Sequence, residues 1–241
     1  MSLSNKKILI TGGAVRLGRE MALAIARAGG DLIIHYNSSR QPAEELRNEI
    51  IAIGSNASLI QADLADPDSI FSLLAHLREN VPIYGLVNSA SIFEPLDITS
   101  TTRESWDLHF DINLRAPFLL SQSFVDLIEP GQGGRIVNIL DWRALRPGED
   151  HFPYTISKAA LAALTKSLAV ALAPKITVNG LAFGAILPPS DGASTNNILD
   201  FVPAERWADL DEVGKTLLFL LDGPTYITGE IIHLDGGRHL I

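Results

Sequence analysis

Two rhythms of apolar and polar residues alternate along the chain. Short, almost uninterrupted apolar runs predict strands at Lys7–Thr11, Leu32–Tyr36, Ala57–Ala62, Tyr84–Asn88, Gly134–Leu140, Ile176–Leu181 and Glu230–Leu234. Between them, apolar residues recur at helical spacing over Leu17–Gly29, Pro42–Ile53, Asp66–Asn80, Thr101–Ile128, Tyr154–Ala173 and Asp211–Leu221. Turn and cap residues fall where these segments meet. Gly29-Gly30 and Gly54 close helices, Asp66 and Pro67 open one, and Pro117 interrupts the longest. Strands that are apolar throughout are covered on both faces. Their alternation with helices predicts a Rossmann-type, doubly wound α/β fold: a mainly parallel seven-stranded sheet with helices on both faces. No linker or repeat divides the chain, so residues 1–241 are expected to form one domain. The irregular stretch Ala185–Glu205, rich in Pro, Ser and Asn, reads either as a surface insertion or as a substrate loop; its place after the sixth strand favours the loop.

Composition narrows the function. With 241 residues, 46% apolar and 20% charged, there is material for a continuous core. A net charge of −9 without a Lys/Arg block argues against nucleic acid or an anionic membrane as the main partner. The absence of cysteine excludes disulfides and thiolate metal sites, and the 6 histidines lack ligand spacing, so no metal is expected. No apolar run reads as a membrane span, and the N-terminus lacks a secretory signal, which leaves a cytoplasmic protein as the simplest expectation.

Candidate chemistry concentrates at Tyr154 and Lys158, four residues apart at the head of an Ala/Leu-rich helix. That spacing puts both on one helix face. An ammonium beside a phenol favours the phenolate, so Lys158 is expected to lower the Tyr154 pKa and make it a proton donor near neutral pH. Asp141, just past the run RIVNIL, completes the group. A carboxylate there can orient the phenol and pass protons, but it cannot donate to a carbonyl oxygen.

At the other end of the chain, Thr11-Gly12-Gly13-Ala14-Val15-Arg16-Leu17-Gly18 joins the first strand to the first helix. Glycines let the backbone approach a phosphate, and the helix N-terminus offers free N–H groups to it. The second strand ends in His35-Tyr36-Asn37-Ser38-Ser39-Arg40, with no acid to hold a ribose 2′-hydroxyl. With Arg16 nearby, this predicts NADPH rather than NADH. Asp63, beside Leu64, reads equally as an adenine contact or a loop aspartate.

These motifs, in this order, resemble the short-chain dehydrogenase/reductase family, whose TGxxxGxG loop is matched with Arg16 in place of the middle glycine. The resemblance implies that Gly12, Arg16, Leu17, Gly18, His35, Tyr36, Asn37, Ser38, Asp63, Leu64, Asn88, Ser89, Ala90, Tyr154, Lys158, Gly184 and Ile186 bind the cofactor. It implies that Asn113, in DINLRAP, steadies a proton-relay water near Lys158, completing a catalytic set with Tyr154 and Asp141. Phe183-Gly184 departs from the family's Pro-Gly. TGGAVRLG, His35-Tyr36, Asp141 in place of serine and the tail LDGGRHLI are similar to pteridine reductases and dihydromonapterin reductases. That likeness implies a pterin-like small-molecule substrate, contacted by Arg16, Ser91, Phe93, Asp141 and Tyr154. A flat pterin suits an aromatic face, although Phe93 also reads as loop packing. Trp142 and Arg143 line the pocket or merely pack. Relatives also imply a homotetramer formed through the two long helices, with Arg238-His239 either reaching a neighbour's pocket or forming a free end.

Two alternatives stand beside a pteridine reductase. One is a carbonyl reductase, acting on a 3-oxoacyl thioester, a sugar or a steroid-like ketone. The other is a non-catalytic NADP-binding sensor, against which the complete Tyr154/Lys158/Asn113 set argues.

Overall fold

The computed structural model describes residues 2–188 and 198–241. Seven strands form one sheet: β1 (Lys7–Ile10), β2 (Asp31–Tyr36), β3 (Ala57–Gln61), β4 (Gly85–Asn88), β5 (Gly134–Asp141), β6 (Ile176–Phe183) and β7 (Ile231–Leu234). Their order is β3-β2-β1-β4-β5-β6-β7, and every neighbouring pair is parallel. The sheet is therefore wholly rather than mainly parallel. Strand order reverses between β1 and β4, which opens a crevice beyond their C-terminal ends.

The helices are α1 (Arg16–Arg27), α2 (Arg40–Ile53), α3 (Pro67–Glu79), α4 (Arg103–Phe110), α5 (Ala116–Phe124), α6 (Phe152–Leu172) and α7 (Leu210–Asp222). Successive β1 residues face opposite layers. Ile8 and Ile10 pack with Met21, Leu46 and Val213 beneath α1, α2 and α7. Leu9 packs with Leu73, Leu120 and Leu168 beneath α3, α5 and α6. Helix ends follow their chemistry. Asp66 accepts from Asp68 N–H ahead of Pro67, and Gly54 takes a left-handed φ of 101° at the end of α2.

The expected single helix over Thr101–Ile128 is three pieces. Between α4 and α5 lies a π-helical turn, Asp111–Arg115, in which Ala116 N–H reaches back to the Asp111 carbonyl. Pro117 explains the break: it has no N–H to return to the carbonyl four residues earlier, that of Asn113. Helix α6 also differs from expectation. Its 21 residues and mean hydropathy of 1.3 would suffice to cross a membrane. Here Leu161, Ala162, Leu168 and Ala169 are buried in the core.

Candidate active site

The C-terminal ends of β1, β4, β5 and β6 bring the predicted motifs to one edge of the sheet. The loop after β1 closes tightly on itself. Gly12 has φ 62°, and a Cβ there would lie 2.8 Å from Ala90 Cα. A Cβ on Gly18 would collide with the Gly12 carbonyl oxygen, so only glycine lets α1 start this close to the loop. Arg16 occupies the left-handed region at φ 51°, a strained conformation for a side chain of its size. Its guanidinium is exposed and donates to the Pro188 carbonyl at 2.8 Å.

His35 holds this loop from behind. Gly12 N–H donates to Nδ1 at 3.1 Å, so Nε2 carries the hydrogen and donates to the Ala62 carbonyl, also at 3.1 Å. Burial lowers its pKa to about 4, so the ring is neutral. The His35 imidazole is buried with both nitrogens committed, and it positions the loop. Beyond it, Tyr36 is half-buried and Asn37 and Ser38 are exposed, with no carboxylate among them. Arg40 bonds Glu44 at 2.9 Å.

Three other residues of the expected set have buried side chains. Leu64 lies in the layer with Leu73, and Ile186 in the layer with Phe183. Asn88 is buried and donates to Asn138 Oδ1 at 2.8 Å, while Asn138 donates to Thr165. Asp63 Oδ1 accepts from Ala65 N–H, the loop-aspartate role, although the residue stays partly exposed. Gly184 is required by packing: a Cβ would lie 2.6 Å from Asp235 Cα. Of the Ala185–Glu205 loop, residues 189–197 lie outside the described residues.

The centre of the site is Tyr154. Its hydroxyl donates to Asp141 Oδ2 at 3.2 Å, and Asp141 Oδ1 accepts from Arg143 N–H at 2.9 Å. Lys158 reaches past the phenol: its Nζ donates to the Ile139 carbonyl at 2.8 Å and lies 5.7 Å from the Tyr154 ring centroid. Burial, then the Asp141 charge, pushes the Tyr154 pKa well above 10. This reverses the expectation that Lys158 lowers it: burial is the larger cause, and the charge nearest the hydroxyl is a carboxylate. Burial pulls Lys158 down to about 8, against the Asp141 charge. Burial raises Asp141 from its ordinary range, with Arg143 and Lys158 opposing the rise.

Asn113, on the π turn, clasps two segments. Its Oδ1 accepts from Ser91 Oγ and Ile92 N–H, and its Nδ2 donates to the Ile92 carbonyl and Ser157 Oγ. The carboxamide is thus spent on these two segments, and Pro117 has no N–H to offer the Asn113 main-chain carbonyl. Ser91 spends its hydroxyl hydrogen in the same clasp. Phe93 stands edge-on to Tyr154, ring centroids 4.7 Å apart, and edge-on to His151 at 3.8 Å. The C-terminal tail folds onto its own chain: His239 bonds Asp235 and Arg238 covers Trp142.

Several site-building residues were not singled out by the sequence. Thr11 Oγ1 accepts from Ser89 and Ala90 N–H, both at 3.0 Å, and ties the β4 loop to the glycine loop. Asp150 holds Arg143 Nη2 at 2.8 Å, and Ser157 braces Asn113. The one available signal was Asn138, a polar residue in the middle of the apolar run Ile136–Leu140.

Comparison with known proteins agrees with this fold. The family model described as enoyl-(acyl carrier protein) reductase matches residues 13–239. A 3-oxoacyl-[acyl-carrier-protein] reductase of Synechocystis sp. is 31% identical over 241 residues, covering 98% of both chains. An L-xylulose reductase of Caenorhabditis elegans is 32% identical, covering 97% of this chain and 96% of that one. The crystal structure of FolM alternative dihydrofolate reductase 1 from Brucella canis, complexed with NADP, superposes with a TM-score of 0.91 at 36% identity, covering 100% of this chain and 97% of that chain. By its all-parallel sheet, its glycine loop and these matches along nearly its whole length, the chain belongs to the short-chain dehydrogenase/reductase family of oxidoreductases.

Proposed function

We propose that the chain is an NADPH-dependent reductase of a dihydropteridine-like substrate, with Tyr154 as the proton donor. The observation that carries this reading is the Tyr154–Asp141 hydrogen bond beneath the edge-on ring of Phe93. A carboxylate cannot donate to a ketone oxygen. A flat, polar-edged heterocycle suits an aromatic face next to a proton donor.

The cradle fits NADP(H). The loop from Gly12 to Gly18 folds so closely that no Cβ fits at Gly12, Gly13 or Gly18, and α1 starts at its end, where free N–H groups suit a phosphate. Arg16, Asn37 and Ser38 would hold the 2′-phosphate, where an acid would repel it. Asp63 and Leu64 would hold the adenine end, and Asn88, Ser89, Ala90, Gly184 and Ile186 the nicotinamide half. Bound NADPH supplies the hydride.

The residues of the chain handle the proton. Tyr154 Oη gives its hydrogen to the ring nitrogen of the C=N bond being reduced. Its raised pKa keeps that hydrogen in place until the nitrogen becomes strongly basic. Lys158 spends one of its three hydrogens on Ile139 and keeps two for the ribose hydroxyls. Asp141 orients the phenol and, with Lys158 and a water held at the Asn113 carbonyl, returns a proton to it.

Similarity to 3-oxoacyl-[acyl-carrier-protein] reductases favours the carbonyl alternative, and one panel separates the two. NADPH oxidation is followed with dihydrobiopterin, dihydromonapterin and a 3-oxoacyl thioester. Turnover with the pterins, abolished in Tyr154→Phe while NADPH still binds, is the expected result. Turnover with the thioester alone overturns the reading. Assembly into a homotetramer belongs to the same proposal. An apolar groove between Phe110, Leu114, Phe118, Ala160 and Leu164 runs along the outer face of the long helices, where a second copy would pair. Light scattering of the purified protein reads its mass directly.

A further inference from the structure

Asp141 and Tyr154 stand at the two ends of an irregular stretch of chain. Asp141 closes β5, and Tyr154 lies in the first turn of α6. One side chain spans the gap between these elements. The Arg143 guanidinium donates through Nη2 to Asp150 Oδ2 at 2.8 Å and through Nε to Asp150 Oδ1 at 3.5 Å. Its Nη1 lies 3.7 Å from Asp141 Oδ1, the oxygen that also accepts the Arg143 N–H at 2.9 Å. Asp150 is in turn fixed to α6. Its carbonyl accepts from Thr155 Oγ1, one residue beyond Tyr154, and the next residue, His151, is the N-cap of the helix. The guanidinium is walled in by rings, 4.9 Å from that of Trp142 and 5.7 Å from that of Phe93.

Charge gives this strut a second role. The side chains of Arg143 and Asp141 are only 14% and 16% exposed. A carboxylate so nearly withdrawn from water stays ionised only beside a matched cation. The charged and titratable groups around it are Arg143 on its own turn, Tyr154 and Lys158 on α6, and Arg238 on the tail. Asp150, with His151 beside it, faces Arg143 from the other side. Lys158 is engaged with the Ile139 carbonyl, and Arg238 lies on the Trp142 ring. Among the described residues, Arg143 is the cation at ion-pair distance from Asp141. Burial raises the Asp141 pKa, and Arg143 is the foremost influence holding it down.

We propose that Arg143, braced by Asp150, is a positioning residue of the proton path: it keeps Asp141 charged and aimed at the Tyr154 hydroxyl. The inference rests on the reading of Tyr154 as proton donor and is independent of which substrate takes the proton. Arg143 acts through Asp141 and passes no proton itself, because a guanidinium stays protonated. Its fork suits the task, since one planar group meets carboxylates on two elements at once.

The test is the pH profile of kcat/KM for dihydrobiopterin with NADPH. In Arg143→Gln the ionised form of Asp141 loses its cation, so the acid limb moves toward alkali by about one pH unit or more. At the optimum, kcat falls about tenfold as the carboxylate loses its aim. Arg143→Lys restores a charge and recovers most of the displaced limb, while kcat stays below native because an ammonium lacks the fork. Asp150→Asn leaves the Arg143 charge and removes its brace, so kcat falls with no alkaline move of the limb. An acid limb that stays in place in Arg143→Gln, whatever happens to rate or melting temperature, reduces Arg143 to loop packing and overturns the inference. A limb displaced as far in Arg143→Lys as in Arg143→Gln overturns it too. If the native protein reduces no pterin, the substrate reading falls and Arg143 is judged without turnover. Carbon-13 NMR of aspartate-labelled protein then follows the Asp141 carboxyl, identified by its loss in Asp141→Asn. A titration midpoint higher by about one pH unit in Arg143→Gln upholds the inference, and an unmoved midpoint overturns it.

Discussion

The hydroxyl of Tyr154 points at Asp141 Oδ2, 3.2 Å away, while the ammonium of Lys158 donates to the carbonyl of Ile139. A negative charge thus stands nearest the phenol. The phenol holds its proton tightly, and the lysine is anchored to the main chain of β5 instead.

Asp141→Asn keeps the size and an acceptor but removes the charge. The Tyr154 phenol then titrates at lower pH than in the native protein, read by ultraviolet difference titration against Tyr154→Phe. Turnover of the pterin substrate falls about a hundredfold or more, as expected when a proton path is cut. An unchanged titration midpoint refutes the assignment of charge at the phenol.

The pH profile of kcat/KM follows from two buried groups. Lys158 is cationic below about 8 and loses its charge above it, so activity falls as pH rises through that value. Asp141 is ionised only above its raised pKa, so activity also falls on the acid side. Lys158→Arg removes the alkaline fall and lowers the maximum. An alkaline limb that persists unchanged in Lys158→Arg assigns it to another group.

His35 makes stability depend on pH. Its folded pKa of about 4 lies below the ordinary 6.5, so the unfolded chain binds the proton first as pH drops. Stability is therefore full above 6.5 and declines toward 4 by about 3 kcal/mol. Urea unfolding across that window gives the slope, and His35→Gln flattens it. A native protein with no slope there would remove the neutral, buried imidazole from the account.

Arg16→Gly separates strain from recognition. Glycine adopts the left-handed backbone freely and relieves about 1 kcal/mol. The melting temperature holds or rises, while the KM for NADPH increases about tenfold and that for NADH barely moves. An NADPH preference that survives the substitution places the 2′-phosphate contact elsewhere.

Local rhythm made the strands, the glycine loop and the order of the motifs legible, because burial of a parallel strand writes itself as an apolar run. Arg16 in place of a glycine was visible, and φ 51° gives it physical meaning. Which way a side chain turns was not legible. Leu64 and Ile186 face the core, and the Asn113 carboxamide is consumed by Ser91, Ile92 and Ser157. Those facts depend on partners distant in the chain, as does the choice of Lys158 between a phenol and the Ile139 carbonyl. Arg143 and Asp150 belong to the same class, since seven residues of irregular loop carry no periodicity that would announce an ion pair.

The π turn at Asp111–Arg115 holds one residue more than regular winding would use. Excising a single residue there would leave composition nearly untouched and restore regular winding, with both half-helices close to their present places, yet erase the bulge that aims Asn113. Asn113 would swing off both of the segments it joins, and the crevice would lose its brace. In this part of the molecule, residue count itself sets where Asn113 points.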